Sequence, residues 1–189
     1  MAPSDQMWPD DPELELAARR VRLEREEEQA ELEEMEEEER DRSLDLPFAL
    51  LELQWRGDRV RVLLADRTFE GIVVHVGDDL CTVQTGPEAL VDVRLDHVGA
   101  VAVVERARVG GRAKISRDPR RFVARVREVA EDGSPEVELG AVGNVRVTGT
   151  VVRVHADHVV CRGRDRSEWL VPLAALIYVV RNPELGRRR

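Results

Sequence analysis

Two stretches of the chain share one pattern of glycine, apolar and acidic positions. Residues 71–79 and residues 149–157 each contain a glycine, two adjacent valines, a further valine and an aspartate. Gly71 and Gly149 are separated by the same number of residues as two later stretches, 93–95 and 171–173, which share one alternation of apolar residues. Because an internal repeat identifies the folding unit, the sequence predicts two copies of one small β-domain.

A short helix is predicted at the start of the first copy. Asp45 is the predicted N-cap, Pro47 lies in the first turn, and Gly57 ends the helix. The predicted apolar face of this helix contains Phe48, Leu51 and Trp55.

The second copy repeats this arrangement. Asp118 is the predicted cap, Pro119 the first helical residue and Gly133 the stop, and the apolar face contains Phe122, Val126 and Val129. The predicted helices of the two copies lie slightly closer together along the chain than the predicted strands do. A short insertion is therefore expected between helix and sheet of the second copy, at residues 132–135.

Five short strands are predicted after each helix, and the second strand carries the most information. Its alternation of apolar residues slips by one position after Val73, beside Gly71, and the same slip follows Val151, beside Gly149. A slip beside glycine is typical of a bulged, bent strand that lets a small sheet curl into a barrel. The predicted strands are 59–64, 68–76, 80–84, 91–95 and 100–104, and then 136–139, 145–154, 158–162, 169–173 and 178–180.

The predicted fold class is therefore mainly β with short helices. We expect two tandem small β-barrels, each a helix plus five bent antiparallel strands, after an acidic N-terminal helix. The predicted divisions are an acidic arm that is helical or partly disordered (1–43), repeat one (44–105), a basic linker (106–117), repeat two (118–182) and a basic tail (183–189).

This plan resembles the Sm-like fold of Sm and LSm proteins, bacterial Hfq and the C-terminal domain of RimP. The matching pieces are Phe69-Glu70-Gly71 through Asp79 with residues 93–98, and Val147-Thr148-Gly149 through Asp157 with residues 171–176. The resemblance covers residues 44–182. It implies RNA binding and self-association through barrel edges, by pairing of strand four of one barrel with strand five of the next. Two barrels in one chain then make either a pseudo-dimer or one segment of a three-chain, six-barrel ring.

The sequence departs from that family at the RNA-binding motifs. Both copies lack the Ile-Arg-Gly run of Sm proteins and the Met-Asn pair after the first turn. The Tyr-Lys-His run of Hfq is also missing, since His97 is displaced in the first copy and the second copy has no histidine there. No RNA pocket is therefore transferred residue by residue, and the resemblance supports RNA binding only at the level of the fold.

Charge is divided unevenly along the chain. The chain has a formal net charge of −9, yet residues 1–46 hold 18 Asp and Glu against 6 Arg. This arm is either a solvated charged helix or tail, or an element that docks on a basic surface. Residues 105–127 carry nine Arg and Lys against two acidic residues, as either a solvated face or a contact for a phosphate backbone. The candidate nucleic-acid contacts are Arg112, Lys114, Arg117, Arg120, Arg121, Arg125 and Arg127.

Catalytic chemistry has little support in the sequence. The four histidines are scattered, and the His155–His158 turn with Asp157 lacks further metal ligands. No glycine-rich phosphate loop lies between a strand and a helix. Cys81 and Cys161 lie in apolar strands, which favours buried thiols over a disulfide. We predict no catalytic residue, no cofactor, no metal and no small-molecule substrate.

Two classes of function remain. The first is a non-catalytic Sm-like protein that binds RNA or a ribonucleoprotein. The second is a protein-interaction scaffold that uses barrel edge strands and the acidic arm. No stretch has the roughly 18 to 20 apolar residues of a membrane span, and the acidic N-terminus is unlike a signal peptide. A cytoplasmic location is expected.

Overall fold

The computed structural model of the chain describes residues 45–107, 120–132 and 136–181, together with Arg19, Arg25 and Gln29. These three residues of the arm are helical and exposed. The arm belongs to a unit of its own, residues 1–44, separate from residues 45–189. Within the described residues no helix is long and apolar enough to cross a membrane.

The first repeat forms one helix and five strands, as the sequence predicted. Its elements are helix α1 (Leu46–Arg56), strands β1 (Arg59–Leu63), β2 (Thr68–Val76), β3 (Leu80–Gln84), β4 (Leu90–Arg94) and β5 (Ala100–Glu105), and a 3-10 turn (Leu95–His97) before β5.

The ends of α1 are those expected from the sequence. The Asp45 side chain accepts a hydrogen bond from the backbone of Phe48, and Gly57 closes the helix with a left-handed φ of 74°. The predicted apolar face was wrong in part, since of its three residues only Leu51 packs against the core. Leu50 and Leu53 are buried against the sheet, whereas Phe48 and Trp55 are about half exposed.

The second repeat has the same element order. It contains helix α2 (Phe122–Glu131), strands β6 (Val137–Ala141), β7 (Val145–Val154), β8 (His158–Arg162), β9 (Glu168–Pro172) and β10 (Leu176–Arg181), and a 3-10 turn (Leu173–Ala175) before β10.

Helix α2 begins later than the sequence predicted. Its N-cap position is Arg121, whose side chain makes no capping hydrogen bond. Phe122, Val126 and Val129 form the buried face, as expected. The buried Leu50 and Leu53 of α1 match Val126 and Val129, which makes Leu46 the counterpart of Phe122. The predicted cap Asp118, Pro119 and the stop Gly133 lie outside the described residues.

The predicted bulge is present at the same position in both repeats. The pairing of β2 with β3 shifts register between Val73 and His75, and that of β7 with β8 shifts between Val151 and Arg153. An added Cβ would lie 2.1 Å from the Gln84 carbonyl oxygen at Gly71, and 2.2 Å from that of Arg162 at Gly149. Glycine is therefore required by the close approach of the neighbouring backbone, not by an unusual φ.

The ten strands form one antiparallel sheet in the order β5-β1-β2-β3-β4-β10-β6-β7-β8-β9. This sheet is open. Its strand pairing closes neither repeat into a separate barrel, so the two predicted barrels are not observed. The reason lies in β10, which hydrogen-bonds to β6 of its own repeat and to β4 of the other. The outer sides of β5 and β9 are the two ends of the sheet.

Two hydrophobic cores lie along this sheet, and each takes side chains from both repeats. The core of the first repeat includes Ile177, Tyr178 and Val180 of β10. The core of the second repeat includes Leu80 of β3, which packs with Phe122 and other buried residues. The repeats therefore stabilise one another through shared burial.

Candidate functional site

The contact between the repeats is a strand pairing, which we call the internal junction. Residues 178–181 of β10 pair with residues 90–93 of β4 in antiparallel register, so the two repeats share a continuous backbone ladder. Strand four of the first repeat thus meets strand five of the second.

A buried ionic cluster lies at the centre of the internal junction. Asp92 is fully buried and accepts hydrogen bonds from Arg181 at 2.6 and 3.0 Å and from the Thr82 hydroxyl at 2.7 Å. Arg125 of α2 approaches the same carboxylate at 3.6 Å and also donates to Glu128 at 2.6 Å. That bond lowers the pKa of the Glu128 carboxyl. We name Thr82, Asp92, Arg125 and Arg181 the ionic cluster.

A second polar group crosses the junction on the other side of β10. Arg67, from the turn between β1 and β2, donates to Glu138 and to the Tyr178 hydroxyl, the latter at 3.2 Å. Burial raises the pKa of Tyr178, so its hydroxyl stays protonated and donates to Glu138 at 3.0 Å. The Tyr178 ring packs edge-to-face on Phe69, with 5.0 Å between ring centroids. It occupies the space that a side chain at Gly140 would need.

Helix α2 is capped across the internal junction. The Asp79 carboxylate, in the turn between β2 and β3, accepts a hydrogen bond from the backbone nitrogen of Phe122 at 2.6 Å. A carboxylate at this position also complements the positive end of the helix dipole. The aspartate that ends the first copy of the repeat pattern therefore joins the first repeat to the second.

The two ends of the sheet expose apolar side chains. Within the described residues β5 pairs only with β1, and β9 only with β8. Val103 and Val104 of β5 are 43% and 42% exposed, and Leu170 of β9 is 68% exposed. An edge strand presents unpaired backbone N–H and C=O groups that can pair with another strand, and exposed apolar side chains favour such pairing.

Four of the seven predicted nucleic-acid contacts lie in the described residues. Arg120 and Arg125 both pair with Glu128, and Arg125 also belongs to the ionic cluster. Arg121 and Arg127 are exposed and have no ion-pair partner within the described residues. Arg112, Lys114 and Arg117 lie outside the described residues, so their contribution stays a prediction.

A shallow groove at the β9 end of the sheet brings arginines beside an aromatic ring. The groove has a volume of about 470 Å³, and Arg146, Arg164 and Trp169 are among the residues that line it. Trp169 is 50% exposed and donates through Nε1 to the Ser167 hydroxyl at 2.9 Å. Arg164 forms a two-bonded pair with Glu136, which lowers the pKa of that carboxyl. The exposure of the Trp169 ring makes it available for stacking.

The remaining candidate residues are two histidines of one turn and the two cysteines. His155 and His158 stack with 4.6 Å between ring centroids, and His158 Nδ1 lies 2.7 Å from Asp157, which lowers the pKa of that carboxyl. The described residues hold no group of three or more potential ligands suited to a metal. Cys81 and Cys161 are free and buried as predicted. Burial raises the pKa of their thiols, to about 12 and about 11 respectively.

Sequence reasoning missed the polar residues that join the repeats. Asp92, Arg67, Glu138 and Arg181 lie in or beside apolar strands, where a single charge is typical of a solvated position. The sequence could have indicated them by comparison of the two copies, because a charged residue in one copy corresponds to an apolar residue in the other, as Asp92 corresponds to Leu170.

Comparison with known proteins adds no assignment. Models of known protein families give no match to this sequence, and a search of curated proteins gives no significant match.

Proposed function

We propose that this protein is an assembly scaffold whose copies join head to tail by pairing β9 of one copy with β5 of the next. One observation carries the proposal. The internal junction joins β4 to β10, and the repeat makes β9 the counterpart of β4 and β5 the counterpart of β10. Both counterparts are unpaired on one side within the described residues.

The registers support this equivalence residue by residue. Val101 of β5 pairs with Val62 in β1, and its counterpart Val179 of β10 pairs with Leu139 in β6. The unpaired side of β5 is therefore equivalent to the side of β10 that pairs with β4. Pro172 corresponds to Arg94, which lies just outside the paired residues of the internal junction. The missing N–H of this proline therefore does not interrupt the proposed ladder.

The cap across the internal junction also has counterparts at the two ends. Asp157 corresponds to Asp79, and its side chain is 87% exposed. Leu46, the first residue of α1 and the counterpart of Phe122, is itself exposed. In a head-to-tail contact, Asp157 of one copy reaches the start of α1 in the next, and Leu46 becomes buried there.

We further propose that the two repeats are Sm-like units. Support comes from a helix followed by five strands in each repeat, from the glycine-linked bulge in the second strand, and from pairing of strand four with strand five between repeats. On this proposal the internal junction is a covalently linked version of a contact between neighbouring units.

The assembly is tested by light scattering after size exclusion, at concentrations from micromolar to millimolar. We expect a mass that is a multiple of the chain mass and rises with concentration. A head-to-tail contact gives a ring where the rotation closes and an open chain where it does not, so the mass distribution distinguishes the two. A single-chain mass at every concentration would contradict the proposal.

Trp55→Glu is the matched control for the assembly. It removes an exposed apolar side chain that lies on α1 and on neither edge strand, and it copies the counterpart residue Glu131 of α2. We expect this variant to assemble as the original protein does. Loss of assembly would show that exposed apolar surface in general, and not the two edge strands, holds the copies together.

Binding of single-stranded RNA is a second candidate function. The observation that favours it is the exposed Trp169 ring beside Arg146 and Arg164, with exposed Arg121 and Arg127 on and beside α2. Bases stack on aromatic rings with about 1–3 kcal/mol per base, and arginines contact the phosphates without reading the sequence.

Replacement of Trp169 by Ala tests this second function. We expect RNA affinity, measured by anisotropy of a labelled single strand at low salt, to fall roughly 5- to 150-fold, because one stacking contact is lost. Trp55→Ala is the control, since Trp55 is similarly exposed but belongs to α1. Equal affinities for the two variants would contradict a role for the groove. Nuclease sensitivity and the ultraviolet absorbance ratio of the purified protein show whether nucleic acid is bound at all.

A further inference from the structure

The internal junction and the two ends of the sheet use equivalent positions of the two repeats. The side chains of the ionic cluster are polar or charged at the junction, and their counterparts at the ends are apolar. Every member of the ionic cluster has an apolar counterpart in the other repeat. The counterparts are Leu170 for Asp92, Val160 for Thr82, Val103 for Arg181 and Ala49 for Arg125.

These assignments follow from the strand registers as well as from the spacing of the repeat. Thr82 lies opposite Asp92 in the β3–β4 pair, and Val160 lies opposite Leu170 in the β8–β9 pair. Arg181 lies opposite Val137 in the β10–β6 pair, as Val103 lies opposite Val60 in the β5–β1 pair.

We infer that this difference between charged and apolar residues decides which strand edges pair, so that copies of this chain assemble in one order only. We call this pairing rule the address. The inference rests on the head-to-tail assembly proposed above and identifies its partner as a second copy of this chain. In the contact between copies, Leu170 packs on Val103, with Val160 and Ala49 beside them. Asp92 meets its arginines only inside one chain.

The physical basis of the address is the cost of an unpaired buried charge. If β4 of one copy paired with β5 of another, Asp92 would lose Arg181 and Arg125 and meet Val103. If β10 paired with β9, Arg181 would be buried against Leu170. The first exchange leaves Asp92 without an opposite charge. In the second, Arg181 would lie opposite Glu168, the counterpart of Leu90, but Asp92 of its own chain would lose Arg181. Apolar side chains of two edges can be buried together at no electrostatic cost, and the charges of the ionic cluster are paired within one chain. Only two pairings therefore remain favourable, β4 with β10 inside a chain and β9 with β5 between copies.

The address is tested by placing charged residues of the ionic cluster at the apolar positions of the contact between copies. Leu170→Asp and Val103→Arg each place one charge of the ionic cluster at the corresponding position of one edge. Both side chains are exposed in the single chain, so each variant is expected to fold, which circular dichroism and thermal unfolding verify. Alone, Leu170→Asp should associate at least about 100-fold more weakly than the original protein. Val103→Arg should weaken association less, because Glu168, the counterpart of Leu90, lies opposite position 103 in the proposed contact.

An equimolar mixture of the two variants is the decisive measurement. The carboxylate on β9 of one variant then faces the guanidinium on β5 of the other, as Asp92 faces Arg181. The second contact of each pair keeps Leu170 on Val103. We expect light scattering of the mixture to show association within about tenfold of the original protein.

The outcomes separate the address from the assembly itself. Single-chain mass for the original protein would overturn the proposed assembly and the address with it. Assembly of the original protein together with undiminished assembly of Leu170→Asp would overturn only the address. A mixture that stays dissociated, while both variants fold, would also overturn it. If Leu170→Asp is poorly folded, Leu170→Asn replaces it. Leu170→Asn alone should associate more weakly than the original protein, and its mixture with Val103→Arg should recover part of that association.

Discussion

Replacing Asp92 by Ala is expected to lower the free energy of unfolding by about 3–5 kcal/mol. The substitution leaves Arg181 and Arg125 partly buried beside each other without the carboxylate that they share, and it also leaves the Thr82 hydroxyl without its acceptor. The cost arises mainly from uncompensated buried charge and not from a lost attraction. Urea unfolding followed by circular dichroism measures it.

The matched control is Asp96→Ala. Asp96 also pairs with an arginine, Arg94, at 3.0 Å, but its side chain is 57% exposed. Exposed pairs contribute about 0–1 kcal/mol, so this variant should unfold close to the original protein. An Asp92→Ala effect as small as that of the control would show that the ionic cluster does not hold the repeats together.

Replacing the whole ionic cluster should be far less costly than removing one member. The variant that combines Thr82→Val, Asp92→Leu, Arg125→Ala and Arg181→Val copies the chemistry of the sheet ends. Buried ion clusters exchanged for apolar residues are often neutral in stability or better. We expect this variant to recover most of the loss while it forms mixed assemblies, because the internal junction and the contact between copies then carry the same chemistry.

Gly149→Ala is expected to destabilise the protein by about 3 kcal/mol, at the upper end of the range for overpacking. The added Cβ would lie 2.2 Å from the carbonyl oxygen of Arg162, on the neighbouring strand. Backbone atoms held in a ladder have no alternative rotamer, so β7 and β8 have to separate at the bulge. The free energy of unfolding in urea is again the measurement, and Gly71→Ala should behave similarly because Gln84 is equally close.

Gly86→Ala is the control for this pair. Its added Cβ would meet nothing closer than the Ala89 Cβ at 3.6 Å, which is an ordinary contact. A surface change of this kind alters stability by about 0.5 kcal/mol or less. If Gly149→Ala were as mild as Gly86→Ala, the close approach at the bulge would not be the reason for glycine in both repeats.

The strands and bulges were predictable because their causes are local. Alternation with period two, the phase slip after Val73 and Val151, and a neighbouring glycine are properties of a few consecutive residues. The bounds of β2, β3, β7 and β8 accordingly agree with the sequence prediction. The constant spacing between matching positions then identified the repeat without any knowledge of the fold.

The apolar face of α1 was predicted only in part because its sequence offers two stripes. Phe48, Leu51 and Trp55 have helical spacing, and so do Leu50 and Leu53 on another side. Which stripe is buried depends on how the helix lies against β2, where Gln54 donates to the Val74 carbonyl at 2.9 Å. Local periodicity contains no information on that contact.

The cap of α2 was missed for a different reason. Phe122 receives its cap from Asp79, which lies far earlier in the chain, across a strand pairing between repeats. The sequence alone pointed to Asp118, the nearest residue of the right type. The ionic cluster similarly joins Thr82 and Asp92 of the first repeat to Arg125 and Arg181, which lie far later in the chain, so only the comparison between repeats indicated it.

The position of β10 has a consequence for how the chain folds as it is made. Tyr178 pairs with Val93 of the first repeat, and its ring belongs to the core of that repeat. A nascent chain that has not yet extended β10 from the ribosome therefore carries the first repeat with an open β4 edge and an incomplete core. Such contacts between distant residues are slow to form, and a bare edge invites aggregation in the interval. Chaperone binding to nascent chains of this protein should accordingly end when residues 176–181 emerge.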